Sequence, residues 1–306
     1  MAMTRVLVTG GTGFIGRQAV PLLRDRGREV HVVSSRSDAA IPEGVRLHSA
    51  DLLDPGARSE LVAEIKPDLL MHLAWYLQPG QVWDSVENVR WVEASLGLLR
   101  DFAAHGGKRA LVAGTCSEYG PVAGVCNEDT TPLAPSNLYG VAKDSLRSIA
   151  AAAASALAIE LAWARIFFAY GPGEHPVRLV ASVIRHLLAG EPAPCSHGRQ
   201  VRDYLSTVDI GDALVATLES GFTGTLNIGS GERLTLREIV GATADLIGRP
   251  ELVRFGEVIP PPDDPPLLVA DTTRLRSQVG WRPRYRLEEG LELTIDWWRK
   301  ELGARA

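Results

Sequence analysis

Thr4-Arg-Val-Leu-Val-Thr-Gly-Gly-Thr-Gly-Phe-Ile-Gly16 decides how this chain folds. A short β-rich run, Arg5–Val8, enters a glycine turn, and apolar residues at helical spacing follow from Phe14 to Arg26, stopped by Gly27. Glycines at 10, 13 and 16, set between a strand and a helix, are the spacing of a dinucleotide-binding turn. Gly10 permits the tight turn, Gly13 lets backbone approach a pyrophosphate, and Gly16 lets the helix pack on the sheet. The helix start offers free N–H groups and a partial positive charge to the phosphates. Gly10, Gly13, Phe14, Ile15 and Gly16 are the expected contacts on that side.

Outward from this turn, strand and helix patterns alternate. Strands are predicted at Glu29–Val33, Val45–His48, Asp68–Leu73, Arg109–Ala113 and Glu160–Phe167, and helices at Ala57–Ile65, Ser85–His105 and Ser136–Leu157. Such alternation with short loops means a parallel sheet covered on both faces, a doubly wound α/β (Rossmann) fold. After about residue 170 prolines and glycines become frequent. Helices are predicted at Pro176–Leu188, Val208–Ser220, Thr235–Ile247 and Leu287–Lys300, with strands at Val201–Ser206 and Thr225–Ile228. The expected division is a dinucleotide-binding domain over residues 1–170, joined by strand and helix returns from later segments, and a smaller mixed α/β substrate lobe over 171–306.

The end of the second strand selects between cofactors. A carboxylate there holds both ribose hydroxyls of NAD. Here Val33 is followed by Ser34-Ser35-Arg36, with no carboxylate to repel a 2′-phosphate and an arginine to bind one. Arg17 offers a second positive charge. The residues therefore point to NADP, with NAD left open. Asp51 and Leu52, after the third strand, are placed to meet the adenine, and Leu73 and Ala74, ending the fourth, to line the pyrophosphate and ribose.

Bulk properties narrow the class. The 306 residues are 45% hydrophobic and 23% charged, enough for a full core and against disorder. A net charge of −5 argues against nucleic acid as partner. No secretory signal and no bilayer-spanning run are expected. Cys116, Cys126 and Cys195 are odd in number and lack metal-ligand spacing, so no metal site is expected and a reducing cytoplasm fits.

Tyr139-Gly-Val-Ala-Lys143 sets a phenol and an ammonium on one helix face. A nearby ammonium stabilises phenolate, so Lys143 is expected to lower the pKa of Tyr139 and make it a general acid or base. With the glycine turn, His72-Leu-Ala74, Asn88-Val89, Gly114-Thr-Cys-Ser-Glu-Tyr-Gly120, Tyr170-Gly-Pro172, Val201-Arg-Asp-Tyr-Leu205, Asn227-Ile-Gly229 and Gly280-Trp-Arg-Pro283, this segment completes an ordered set of motifs. Over nearly its whole length the chain resembles the extended short-chain dehydrogenase/reductase family, in its nucleotide-sugar-modifying, NAD-dependent epimerase/dehydratase-like branch. The resemblance implies that Thr115 hydrogen-bonds the sugar oxygen at the carbon exchanging hydride, that Tyr139 moves the proton, and that Lys143 binds the nicotinamide ribose. It assigns Arg202 to the nucleotide diphosphate, for which a bidentate guanidinium is suited; an ion pair with Asp203 or another carboxylate is the competing role. Cys116 beside Thr115, and Arg178 in the loop after Tyr170-Gly-Pro172, are further substrate-side candidates. The resemblance also implies a homodimer built through helices 85–105 and 136–157.

Departures from the family pattern narrow the reaction. Its dehydratases resemble one another in carrying Thr-Asp-Glu where this chain reads Thr115-Cys116-Ser117; neither Cys116 nor Ser117 replaces an acid or a carboxylate base, and Glu118 stands one place along. Its epimerases tend to carry an acidic residue at Ser34, and an amide where Arg165-Ile-Phe-Phe168 ends in Phe168. The arginine many relatives carry before the Ala270-Asp271 segment is missing from Pro260–Pro266. The wording is closest to 4-keto-6-deoxyhexose reductases. The leading expectation is NADPH-dependent reduction of the C4 ketone of a dTDP-, GDP- or CDP-linked 4-keto-6-deoxyhexose, with Tyr139 as proton donor. An NAD(P)-dependent nucleotide-sugar epimerase is the alternative, and a non-catalytic dinucleotide sensor the reading from another class.

Overall fold

A computed structural model describes residues 3–261 and 264–303. Seven strands form one parallel sheet: β1 (Arg5–Thr9), β2 (Glu29–Ser34), β3 (Arg46–Ser49), β4 (Leu69–His72), β5 (Arg109–Thr115), β6 (Glu160–Ile166) and β7 (Gly224–Ile228). Their spatial order is β7-β6-β5-β4-β1-β2-β3, with every pairing parallel. The order runs outward in both directions from β1 and β4, so the sheet is doubly wound, and the strand-order reversal opens a crevice between these two strands. All seven residues of β5 are buried, as expected of a central strand covered on both faces.

Helices cover the two faces. One core joins α1 (Gly16–Asp25) and α6 (Thr207–Glu219) to the sheet through Val6, Val8, Leu23, Ile210 and Leu214. The opposite core lies beneath α2 (Pro55–Ile65), α3 (Glu87–Ala104) and α4 (Leu138–Ala153) and holds Leu7, Leu61, Leu98, Phe102 and Leu146. Local chemistry fixes where these helices start. Asp54 caps α2 by accepting from the N–H groups of Gly56 and Ala57, with Pro55 in the first turn, and Asn137 caps α4 by accepting from Gly140 N–H.

A third core unites α5 (Leu179–Ala189), α7 (Leu236–Ile247) and α8 (Leu287–Gly303) around Ile184, Leu187, Ile239, Leu291 and Trp298. Residues 207–228 leave this region to supply α6 and β7 to the main sheet. The structure corrects the strand expected over Val201–Ser206. It is two short strands, Val201–Arg202 and Tyr204–Ser206, which pair into different sheets on either side of Asp203. Asp203 is fully buried and accepts from Ser230 N–H, Ser230 O–H, Gly231 N–H and Ala270 N–H, and that cluster turns the chain. Further short strands at Gly124–Cys126, Phe168–Tyr170, Ala193–Cys195, Val253–Phe255 and Leu267–Ala270 pair across long sequence separations.

Candidate active site

At the crevice, β1 and β4 are locked together. Thr9 Oγ1 accepts from the N–H groups of Leu73 and Ala74, and lies 2.6 Å from His72 Nδ1. Burial, with the charge of Lys143 adding to it, pushes His72 down to about 3, so the ring is neutral. Ser95 gives its hydroxyl to Trp91 O, so His72 donates from Nε2 to Ser95 Oγ at 2.8 Å and accepts at Nδ1 from Thr9. This chain of contacts holds Leu73 and Ala74 against the glycine turn. A Cβ on Gly10, whose φ is +68°, would sit 2.8 Å from Ala74 N; one on Gly16 would sit 2.1 Å from Gly10 O. Only glycine allows that approach. Helix α1 starts with no capping side chain and no acid in its first turn, and Gly13 is exposed in front of it. These groups fit a dinucleotide phosphate.

The remaining cofactor-side candidates surround this turn. Ser34 ends β2 and accepts from Arg36 N–H at 3.1 Å, leaving Ser35 and the Arg36 side chain exposed. Asp51 accepts from Leu53 N–H, and Leu52 is buried. Arg17 folds back onto the carbonyls of Gly13 and Thr12 and lies against Gly173. Phe14 and Arg17 line a cavity of about 580 Å³ with Leu77, Glu174 and Arg178.

Thr115 ends β5, and Tyr139 and Lys143 lie in the first two turns of α4. Gly140 lets α4 approach the turn after β5, since a Cβ there would sit 2.6 Å from Ser117 O. Tyr139 N–H donates to Trp83 O at 2.9 Å, and the phenol lies close enough to the Thr115 side chain for it to draw the phenol's pKa down. Thr115 also accepts from Ser117 N–H at 3.2 Å, so its own O–H remains to donate. Thr115 and Tyr139, the two residues expected to share the sugar oxygen, are thus neighbours.

The expected tuning is not found. Burial dominates the phenol and raises its pKa above the ordinary value; the hydrogen bond from Thr115 and the charge of Arg178 act in the opposite sense. Lys143 is 3% exposed, donates to Ala113 O at 2.8 Å, and lies with Nζ 3.7 Å from the centroid of the Trp75 ring. Burial pushes this ammonium down to about 7, against an opposing pull from Glu118. A lysine whose folded pKa lies below its unfolded value of 10.5 destabilises the fold most below about pH 7, and the penalty fades as pH rises through 10.5. Lys143→Met is accordingly expected to unfold at higher temperature than the wild type at pH 6. That advantage should shrink steadily in melts at pH 8, 9 and 10.

On the substrate side, Cys116 is buried beside Thr115 and its thiol is pushed up to about 12, chiefly by burial. Burial thus keeps it in the thiol form, which is not the nucleophilic one. Arg178 is exposed at the N-terminus of α5, and its charge reaches Tyr139, Glu174 and Tyr204. Arg202 is buried, donates to Val201 O, stacks 5.4 Å from the Phe168 ring centroid, and forms an ion pair with Asp264. Asp264 is thus the competing carboxylate, and Asp203 is not. Residues 262 and 263 of the Pro260–Pro266 segment lie outside the described residues. Glu118 points into the protein, where it meets Arg165, Trp163 Nε1 and the Thr115 N–H. Sequence reasoning passed over Trp75 and Trp83, whose rings flank Tyr139 at 6.5 and 5.9 Å. Three of the seven tryptophans at 75, 83 and 91 were the available signal.

The sequence profile of the NAD dependent epimerase/dehydratase family matches residues 6–229. This chain belongs to that family. It is 30% identical to a UDP-glucose 4-epimerase of Corynebacterium glutamicum over 92% of this chain and 91% of the relative. It is 29% identical to a dTDP-glucose 4,6-dehydratase of Xanthomonas campestris pv. campestris, over 97% and 93%. The crystal structure of the Thermus thermophilus UDP-glucose 4-epimerase in complex with NAD superposes with a TM-score of 0.85 at 29% identity, covering 97% and 99% of the two chains. Among the described residues of this epimerase/dehydratase-family member, no helix is long and apolar enough to cross a membrane. Likewise no His, Cys, Asp and Glu group is placed to hold a metal.

Proposed function

We propose that this protein epimerises a nucleotide-diphosphate hexose at C4 by transient oxidation with NAD. The observation that carries it is that Tyr139, on α4, comes close enough to Thr115, at the end of β5, for that side chain to act on the phenol. NAD, when bound, would supply the acceptor for the C4 hydride and the donor that returns it to the opposite face of the same carbon. Tyr139 takes the proton of the C4 hydroxyl and gives it back, and the Thr115 O–H donates to the same oxygen. Arg178 and Arg202 face the substrate side as charges for the diphosphate, Arg202 by exchanging Asp264 for phosphate. The buried wall of Cys116 excludes water from the reacting carbon. The family and its UDP-glucose 4-epimerase relatives support this reading over net reduction.

One observation favours a second reading, the NADPH-dependent 4-ketoreductase: β2 ends at Ser34 and is followed by Ser35 and Arg36, with no carboxylate at these positions against a 2′-phosphate. The two separate in one experiment. The protein is mixed with NAD⁺ and UDP-glucose, and separately with NADPH and a dTDP-4-keto-6-deoxyhexose, and followed by absorbance at the nicotinamide band and by proton NMR of the sugar. Epimerisation gives a new C4 epimer with no net absorbance change. Stoichiometric loss of NADPH with only the ketosugar would overturn it in favour of reduction. We further propose a cytoplasmic homodimer through α3 and α4, whose outer faces expose Val86, Val89, Val141 and Ile149 around them.

A further inference from the structure

We propose that Trp75 is a positioning residue of this site: its indole face holds the Lys143 ammonium charged and in place behind Tyr139. The inference rests on the reading of Lys143 as part of the reaction site, but its physical content lies in contacts of the free protein. A buried ammonium has three donors to satisfy. Lys143 gives one to Ala113 O, and Nζ lies 3.7 Å from the Trp75 centroid, where the negative face of the ring attracts a cation.

The ring itself is fixed. Trp75 Nε1–H donates to Asn88 Oδ1 at 2.8 Å, and Asn88, fully buried, donates from Nδ2 to Val82 O at 2.7 Å and Ser85 O at 3.0 Å. Trp91 packs against the indole at 6.1 Å, and the Tyr139 ring meets it at 6.5 Å with an interplanar angle of 64°. Trp75 is thus one rigid surface shared by the phenol and the ammonium. The titratable groups acting on Lys143 from neighbouring elements are Glu118, after β5, which favours its charge, and neutral His72, ending β4. Neither replaces the ring: Glu118 is committed to Arg165, Trp163 and Thr115 N–H.

The chain has only four lysines, Lys66, Lys108, Lys143 and Lys300, so ¹³Cε-lysine NMR resolves the question without coenzyme or substrate. In the wild type one of the four Hε signals should be displaced upfield by the indole ring current and titrate near pH 7, where burial sets Lys143. In Trp75→Leu that signal should return to the ordinary lysine position and its proton affinity should fall about tenfold, the scale of a desolvated cation–π contact. Trp75→Phe, which keeps an aromatic face, should lie between.

A midpoint unmoved or raised in Trp75→Leu would overturn the proposal. Should that variant not fold, Trp75→Phe and the wild type decide, since an undisplaced wild-type signal overturns it equally. NAD⁺ binding by calorimetry gives the second readout. Trp75→Leu should weaken NAD⁺ about tenfold, yet add almost nothing on a Lys143→Met background, because it acts through that ammonium. Losses that multiply would reassign Trp75 to packing alone. Absence of NAD⁺ binding in the wild type would instead sink the functional reading and leave the NMR result standing.

Discussion

Tyr139→Phe is expected to turn over about 10³-fold more slowly than the wild type, the range over which a positioned acid–base group acts, while binding NAD⁺ with unchanged affinity. The reason is that the substitution removes one oxygen and little else. The ring keeps its edge contacts with Trp75 and Trp83, and the backbone N–H keeps its bond to Trp83 O. Thr115 retains its bond from Ser117 N–H, so the oxygen-binding side of the site survives. What disappears is the hydroxyl proposed to exchange a proton with the sugar oxygen. The measurement is single-turnover conversion of UDP-glucose beside calorimetric titration with NAD⁺. Turnover within tenfold of the wild type would remove Tyr139 as the proton carrier. Because burial raises the phenol above its ordinary value, the phenolate form that takes the C4 proton is scarce at neutral pH. Rates limited by its action as a base should therefore climb with pH across the neutral range, and rates limited by its action as an acid should not.

The sheet was legible because its information is local. Arg109 to Ala113 reads as a buried strand from five consecutive residues, which the structure carries on to Thr115, and the glycine turn declares itself through spacing that only close backbone approach explains. Asp203 was a different matter. Nothing near it announces that Ser230 and Ala270 will converge on its carboxylate and break Val201–Ser206 in two. The same limit governs the site. Tyr139 and Lys143 were found from their four-residue spacing, which fixes a shared helix face. That spacing says nothing of where a long flexible side chain ends, and the ammonium ends over Trp75, a residue 68 positions away. The expectation that Lys143 tunes Tyr139 by proximity treated the two as an isolated pair in water. In the fold burial is the largest influence on each, and the partners that oppose it are Thr115 and Arg178 for the phenol and Glu118 for the ammonium. Glu118 was rightly read as pointing away from a dehydratase base position. Its destination, a guanidinium on β6, again lay beyond the reach of spacing.

That guanidinium carries the largest expected loss of stability. Arg165 is 1% exposed and Glu118 is fully buried; Arg165 Nε donates to Glu118 at 2.6 Å and its Nη1 donates to Tyr119 Oη at 3.2 Å. Tyr119 in turn donates to Asn227 on β7, so one ion pair ties the turn after β5 to β6 and β7 beneath Thr115. Arg165→Met fills similar space but leaves the carboxylate, among the described residues, Trp163 Nε1 and Thr115 N–H at hydrogen-bond distance and Arg147 3.9 Å away. Removing one partner of a buried pair costs about 3–5 kcal/mol, and at this chain length that is a fall in Tm of roughly 10 °C. The double variant Arg165→Met/Glu118→Gln should recover most of the loss, because a neutral amide keeps an acceptor for Thr115 N–H without leaving a charge alone. Urea denaturation of the three proteins measures both quantities. A single variant within about 1 kcal/mol of the wild type would mean that water already reaches Glu118, and a double variant no better than the single would mean that the penalty lies in lost packing around Tyr119 instead of in the orphaned charge.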